Sequence, residues 1–508
     1  MAKAAARLLA ALRAEPAKPA FVLDGEVLRY GALDERSARF ARALRDLGVE
    51  RGDRVALFGG TTLPGLVALV GCHRAGAIFV PINPRYRSDE LAHVLGDSGA
   101  RLLLCSDNDD ARAQLAACER PASLERVLSL ERGIDERVEA APEGLCEPLP
   151  DDEDGALLIY TSGTTGRSKG VELPFRALEG NIGALTRAWR FSPDDRLVLT
   201  LPLFHVHGLC IGVFGTLLHG MTALLAARFE PGFVVDAFAR EGATVFMGVP
   251  TMYARLLEHL GAHPEAADAL RQGRLFTAGS APLSAEDLLA FEGLTGHRIL
   301  ERYGMSETLL TLSNPYDGER RPGSVGLPVE GSELKVVDDE GREVPDGELG
   351  ELVVRGVSLM KGYWNNPEAT AASFRDGWFL TGDVARRDPD GYFTLVGRKS
   401  TDIVKSGGFK ISTREIEDAL RDHPLVAELA VVGVPDRTWG EQVVAAVLPT
   451  PPDTTEDELL AALQAHAKER LADYKKPRAV LIVDEMPRNA MGKVQKPKLV
   501  ARFQAERG

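Results

Sequence analysis

From Arg36 to Leu57, polar and apolar residues recur at helical spacing and then give way to an apolar run, and this unit returns along the chain. GLVALVGCHRAGAIFVPIN, LAHVLGDSGARLLLC and FVVDAFAREGATVFMGVP each read as a helix feeding a short buried strand. Such repetition predicts an α/β architecture with largely parallel sheets. An acidic, proline-bearing stretch, CEPLPDDEDG at 146–155, forms a loop or subdomain seam before the strand ALLIY. After Gly323 the texture changes: SELKVVDDEGREVPDGELGELVVRG alternates over short runs joined by Asp-Glu-Gly and Asp-Gly turns, which predicts antiparallel pairs in a small barrel or sheet. Beyond Arg398 come a helix, EIEDALRDHP, a strand, VAELAVVGVP, and further α/β units, enough chain for one small domain. The expected organisation is a large α/β N-terminal domain over 1–398, containing a small β-barrel-like subdomain, and an α+β C-terminal domain over 399–508.

Gly208 to Ala227 carries no charge over twenty residues, the length of a membrane span. Gly208, Gly212, Gly215 and Gly220 punctuate it and His219 lies inside it. A buried helix ending at Gly220, followed by a buried strand, is therefore expected. At the N-terminus, Lys3, Arg7 and Arg13 break up the apolar stretch, so it reads as an amphipathic helix rather than a secretory core; an organelle-targeting reading stays open beside a cytoplasmic one.

Length and charge narrow the function. A chain of 508 residues excludes a single small binding module. With 74 acidic against 60 basic residues, the net charge of −14 argues against general nucleic-acid binding and adhesion to anionic membrane. Cys72, Cys105, Cys118, Cys146 and Cys210 are scattered and never spaced as CxxC, which suits a reducing compartment without a structural metal cluster.

The strongest local chemistry is YTSGTTGRSKGV, Tyr160 to Val171, directly after an apolar strand. Its glycines let the backbone bend close to a ligand, its hydroxyls and amides suit phosphate oxygens, and Lys169 adds a cation. The run lacks the Walker A pattern, so readings based on that NTPase loop lose support.

TSGTTGRSKGV followed in order by PLFH, ERYGMSE, TGD, GR and PRNAMGK resembles the adenylate-forming superfamily of acyl-CoA synthetases, luciferases and adenylation domains, over essentially the whole chain. The resemblance implies a mobile C-terminal cap and a reaction using ATP, Mg²⁺ and CoA. It assigns ATP contacts to Thr161, Ser162, Gly163, Thr164, Thr165, Gly166 and Lys169, and to Glu301, Tyr303, Gly304, Met305 and Ser306. It further assigns Mg²⁺ to Glu307, ribose to Asp383 with Arg398, and the adenylation step to Lys493. His205 is placed beside the reacting carboxylate, and the CoA route along Lys405, Ser406, Gly407, Gly408 and Arg437. The hinge is bracketed at Ser400 and Thr401.

Within that superfamily, ERYGMSETLLTLSNPYDGERRPGSVG with PLFHVHGL, GVPTMY and GSAPL is most similar to the malonyl-CoA synthetase branch. His207, Gly279, Ser280 and Met305 then fall in the acid pocket. A second carboxylate in a dry pocket needs a cation or several donors, and arginine's bidentate fork suits it; Arg228, Arg298 and Arg321 are the candidates. Rival expectations are another short acid, such as methylmalonate or a monocarboxylate, a freestanding adenylation domain, and a non-catalytic nucleotide-binding protein. The partners expected are small molecules, with no nucleic acid and no membrane span, and a homodimer left open.

Overall fold

The computed structural model describes residues 3–141, 148–161, 168–399, 402–406, 409–468, 470–488 and 493–507. The helix-to-strand units build two large sheets. In the nine-stranded sheet the order is Leu327–Pro328, Leu309–Ser313, Leu300–Met305, Leu275–Ala278, Val245–Gly248, Arg196–Leu199, Thr222–Leu225, Pro19–Leu23, Glu26–Arg29. Its centre is parallel and its edges antiparallel. The seven-stranded sheet runs Gly362–Tyr363, Lys169–Pro174, Gly155–Thr161, Ile78–Ile82, Arg54–Phe58, Leu102–Cys105, Arg126–Ser129. Parallel strands need crossover helices, and the helically spaced segments between the parallel strands supply them. A five-stranded sheet, with Trp378–Arg387 antiparallel to both Phe374–Arg375 and Phe393–Arg398, forms where the Asp-Gly turns predicted β structure.

The uncharged segment is buried, as expected, and its last turn ends on Gly220 at φ 65° before strand Thr222–Leu225. Its first part, His207–Phe214, is wound as a π-helix, and Gly215–His219 continues it as α-helix. The N-terminal amphipathic helix Ala4–Ala14 buries Leu8, Leu9 and Leu12. Among the described residues no helix is long and apolar enough to cross a membrane.

Two compact units result, Met1–Leu334 with Val354–Phe379, and Lys335–Val353 with Leu380–Gly508. In the second, strand Val426–Asp436 alternates between two cores. Val431 faces the one containing Ile416, Leu420, Leu459 and Leu463, while Ala430, Val432 and Val434 face the one containing Leu499 and Phe503. This alternation is the period-two pattern of a strand covered on both faces.

Candidate active site

In the first unit the chemistry gathers at strand ends. Strand Leu300–Met305 turns through Ser306–Thr308 into Leu309–Ser313, and a Cβ on Gly304 would sit 2.1 Å from the Leu309 carbonyl oxygen. Only glycine allows so tight a return. Leu309 itself adopts φ 54°, a conformation unfavourable for a branched side chain. That turn carries Ser306, half-buried, and Glu307, buried, whose Oε1 accepts the Tyr363 hydroxyl at 3.0 Å. Tyr303 is buried and its hydroxyl meets Met305 Sδ at 3.7 Å. The Glu301 carboxylate accepts the Gly323 amide at 3.1 Å, which ties down the next loop.

Thr161 ends its strand half-buried, and Lys169 opens the following strand with its ammonium 5.1 Å from the centre of the Tyr363 ring. Ser162, Gly163, Thr164, Thr165 and Gly166 lie outside the described residues. So do Gly407, Gly408, Ser400 and Thr401.

Of the two histidines expected near the acid, His207 opens the π-helix and His205 lies two residues before it. Burial lowers His205 to about 4, and its Nε2 has no hydrogen-bond partner among the described residues. Burial, then repulsion from Arg302, holds His207 well below the usual histidine range. Its Nδ1 lies 3.4 Å from Ser280 Oγ, while its Nε2 is unpartnered among the described residues. Ser280 takes φ 68° in the Gly279–Ser280 turn, a strained backbone of the kind that clusters at binding sites.

The three arginines chosen from sequence do not supply a buried cation. Arg228 is exposed, Arg298 is paired with Glu292 at 2.8 Å, and Arg321 is paired with Glu319 at 2.9 Å. Arg228 follows the buried strand Thr222–Leu225, where its side chain reaches water. Arg302 instead points from within a buried strand, between Glu301 and Tyr303. It is 6% exposed, with Nε and Nη2 unpartnered among the described residues. Burial lowers its pKa to about 10. Its guanidinium occupies the space above Gly279, where a Cβ would fall 2.5 Å from Cζ. The signal in ILERYGM was a single cation within a strand-forming run, beside the acidic Glu301.

In the second unit, Asp383 and Arg398 face each other across paired strands and bond at 2.9 Å, with Arg398 also donating to the Thr381 carbonyl at 2.8 Å. This fixes a carboxylate that can accept from a diol. Lys493 is exposed. Three residues later Lys496 is drawn inward by Asp402 at 2.8 Å, Glu417 at 2.9 Å and Thr413 at 2.6 Å. Ser406 is buried, and Lys405 lies on the same strand, Ile403–Ser406. Arg437 is exposed beside Trp439, over which the Arg478 guanidinium stacks at 3.6 Å.

Among the described residues no group of three or more His, Cys, Asp or Glu side chains is arranged to hold a metal. Glu307 offers one buried hard oxygen donor, which fits Mg²⁺ carried largely by nucleotide oxygens and water.

The AMP-binding enzyme family matches residues 8–364, and the AMP-binding enzyme C-terminal domain matches 415–493. A malonate–CoA ligase of Arabidopsis thaliana is 36% identical, over 94% of this chain and 84% of its own. A feruloyl-CoA synthase of Amycolatopsis is 39% identical over 97% of both chains. The crystal structure of ATP-bound MatB from Rhodopseudomonas palustris superposes with TM-score 0.90 at 36% identity, covering 99% of each chain. A family match over most of the chain, with ligases 36–39% identical over nearly its full length, makes the chain a member of the AMP-binding enzyme family and an AMP-forming acyl-CoA ligase.

Proposed function

We propose that the acid is malonate, joined to CoA through malonyl-AMP. The carrying observation is Arg302, a buried guanidinium with two N–H positions unpartnered among the described residues. Leaving such a charge unpaired in a dry site costs several kcal/mol, so a second substrate carboxylate is its natural complement. Neutral His207 and Ser280 add a hydrogen-bonding wall beside it.

In the first half-reaction one malonate carboxylate oxygen attacks the α-phosphorus of ATP and pyrophosphate leaves. Anion approaches anion, so fixed cations and donors must stabilise the charge that develops. In the first unit Ser306 serves the α-phosphate and Lys169 the outgoing phosphates; in the second, Lys493 serves the adenylation step and Asp383 with Arg398 the ribose. Bound at Glu307, Mg²⁺ would neutralise phosphate charge. In the second half-reaction the CoA thiolate attacks the acyl carbon and AMP leaves, with Lys405 to Gly408 along the thiol route. The Arg478–Trp439 stack and Arg437 offer an aromatic and cationic face for the nucleotide end of CoA.

A panel of mono- and dicarboxylic acids, assayed for CoA-dependent AMP release, tests the reading. Malonate should rank first, and Arg302→Met should raise its KM roughly 100-fold while sparing monocarboxylates. Similarity to the feruloyl-CoA synthase favours a second reading, an acid without a distal carboxylate. Preference for ferulate would establish that reading instead, and equal losses on all acids in Arg302→Met would remove Arg302 as the partner of a distal carboxylate.

A further inference from the structure

Two residues of the adenylation reading, Lys169 and Glu307, belong to different sheets of the first unit. Lys169 opens a strand of the seven-stranded sheet, and Glu307 sits in the turn after a strand of the nine-stranded one. A short segment, Met360 to Trp364, joins them. Its Met360 amide donates to the Glu307 carbonyl at 2.8 Å. Gly362 and Tyr363 then add an edge strand antiparallel to Lys169–Pro174, with Tyr363 opposite Val171. On either side, the Lys361 amide reaches the Glu172 carbonyl and the Trp364 amide the Gly170 carbonyl, both at 2.8 Å. The Tyr363 amide donates to Thr370 Oγ1 at 2.8 Å, so the backbone of this residue is held by strand and helix together.

From this fixed backbone the Tyr363 side chain makes two polar contacts at once. Its ring lies 5.1 Å from the Lys169 ammonium, within cation–π range. Its hydroxyl donates to Glu307 Oε1 at 3.0 Å. We propose that Tyr363 is a positioning residue for nucleotide binding, setting the loop cation and the metal-holding carboxylate at a fixed separation before ATP arrives. The proposal rests on the adenylation reading of Lys169 and Glu307. Its physical content is pre-organisation: a long lysine and a glutamate lose less rotamer freedom on binding when both are already restrained.

The two contacts can be separated chemically. Tyr363→Phe keeps the ring beside Lys169 and deletes the hydroxyl on Glu307, whereas Tyr363→Leu deletes both. ATP binding to the full chain is measured by titration calorimetry without acid, once with magnesium and once with EDTA. Tyr363→Phe should weaken binding roughly tenfold with magnesium and leave the EDTA value unchanged. Tyr363→Leu should weaken both. In a Glu307→Gln background the Phe substitution should have no further effect.

Equal weakening by Tyr363→Phe with and without magnesium, or no weakening in either, overturns the proposal. The Phe variant preserves the packed ring and carries the test alone if the Leu variant does not fold. Wild-type chain that binds no ATP in either condition defeats the adenylation reading itself, and the role of Tyr363 with it. That result is distinguishable because it appears before any variant is compared.

Discussion

The contact between Gly279 and Arg302 makes a single hydrogen atom decisive. A methyl at residue 279 would fall 2.5 to 2.6 Å from Cζ, Nε and Nη1 of Arg302, but the obstructed group is the far end of a flexible side chain. The fold should therefore survive Gly279→Ala while the guanidinium moves. The expected result is a KM for malonate raised roughly tenfold, about 1.4 kcal/mol, with the KM for ATP unchanged; a loss shared by both substrates would point to general damage. His73 makes a different prediction. It is buried between Phe175 and Phe214, and desolvation lowers it to about 4 despite its bond to the Ala156 carbonyl. The folded ring is neutral where the unfolded ring, with its ordinary value of 6.5, takes up a proton. Stability from this residue is then full above pH 6.5 and falls as pH drops toward about 4, at up to about 1.4 kcal/mol per pH unit. Urea midpoints across that window should fall less steeply with acidification in His73→Gln.

Elements place these residues, and one helix does so for the flanks of the glycine-rich run. Within Ser88–Ser98, Asp97 accepts the Tyr160 hydroxyl at 2.6 Å, and His93, one turn earlier, meets the Ser168 carbonyl at 2.8 Å. The acceptor fixes the tautomer: Nε2 must carry the proton. One helical face thus grips the strand entering the glycine-rich run and the residue leaving it, because positions four apart lie side by side. His93→Ala should raise the KM for ATP by about fivefold, roughly 1 kcal/mol, without changing that for the acid. His93→Gln, which retains a donor, should recover part of the loss. Much at this scale was legible. Helix-to-strand units showed in the hydrophobic period, and Gly220 marked the end of the buried helix because its left-handed φ is a helix-stop conformation. The π winding of His207–Phe214 was not legible: side-chain period reports which face is buried, whereas the winding depends on tertiary packing. Arg302 was missed for a related reason. A charge inside a strand reads as solvent-facing until the fold buries both faces, so attention fell on Arg228, which is exposed. Tyr363 was passed over because its partners are distant in sequence and meet only when a two-residue strand joins the sheet edge.

For the whole molecule, the proposed division of labour makes the two half-reactions separable, and Lys493 and Lys496 distinguish chemistry from support. Lys493 is exposed, whereas Lys496 donates to Thr413 and pairs with Asp402 and Glu417, themselves tied to the Arg398 and Val431 amides. Burial alone would raise Asp402, yet the Lys496 charge and hydrogen bond hold its carboxyl below the usual range. Lys493→Ala should leave the melting temperature near wild type and stop acid-dependent ATP–pyrophosphate exchange, while preformed malonyl-AMP still reacts with CoA. Lys496→Met removes the shared cation from two carboxylates that then repel, a loss of about 3 kcal/mol. It should lower the melting temperature, and because the loop bearing Lys493 and the Asp402 segment share that cation, it should weaken both half-reactions together. Loss of both half-reactions in Lys493→Ala at unchanged stability would remove that lysine from its adenylation-only role. Selective loss of adenylation in Lys496→Met would show that this second lysine acts through Lys493 alone, rather than through the framework that supports both steps.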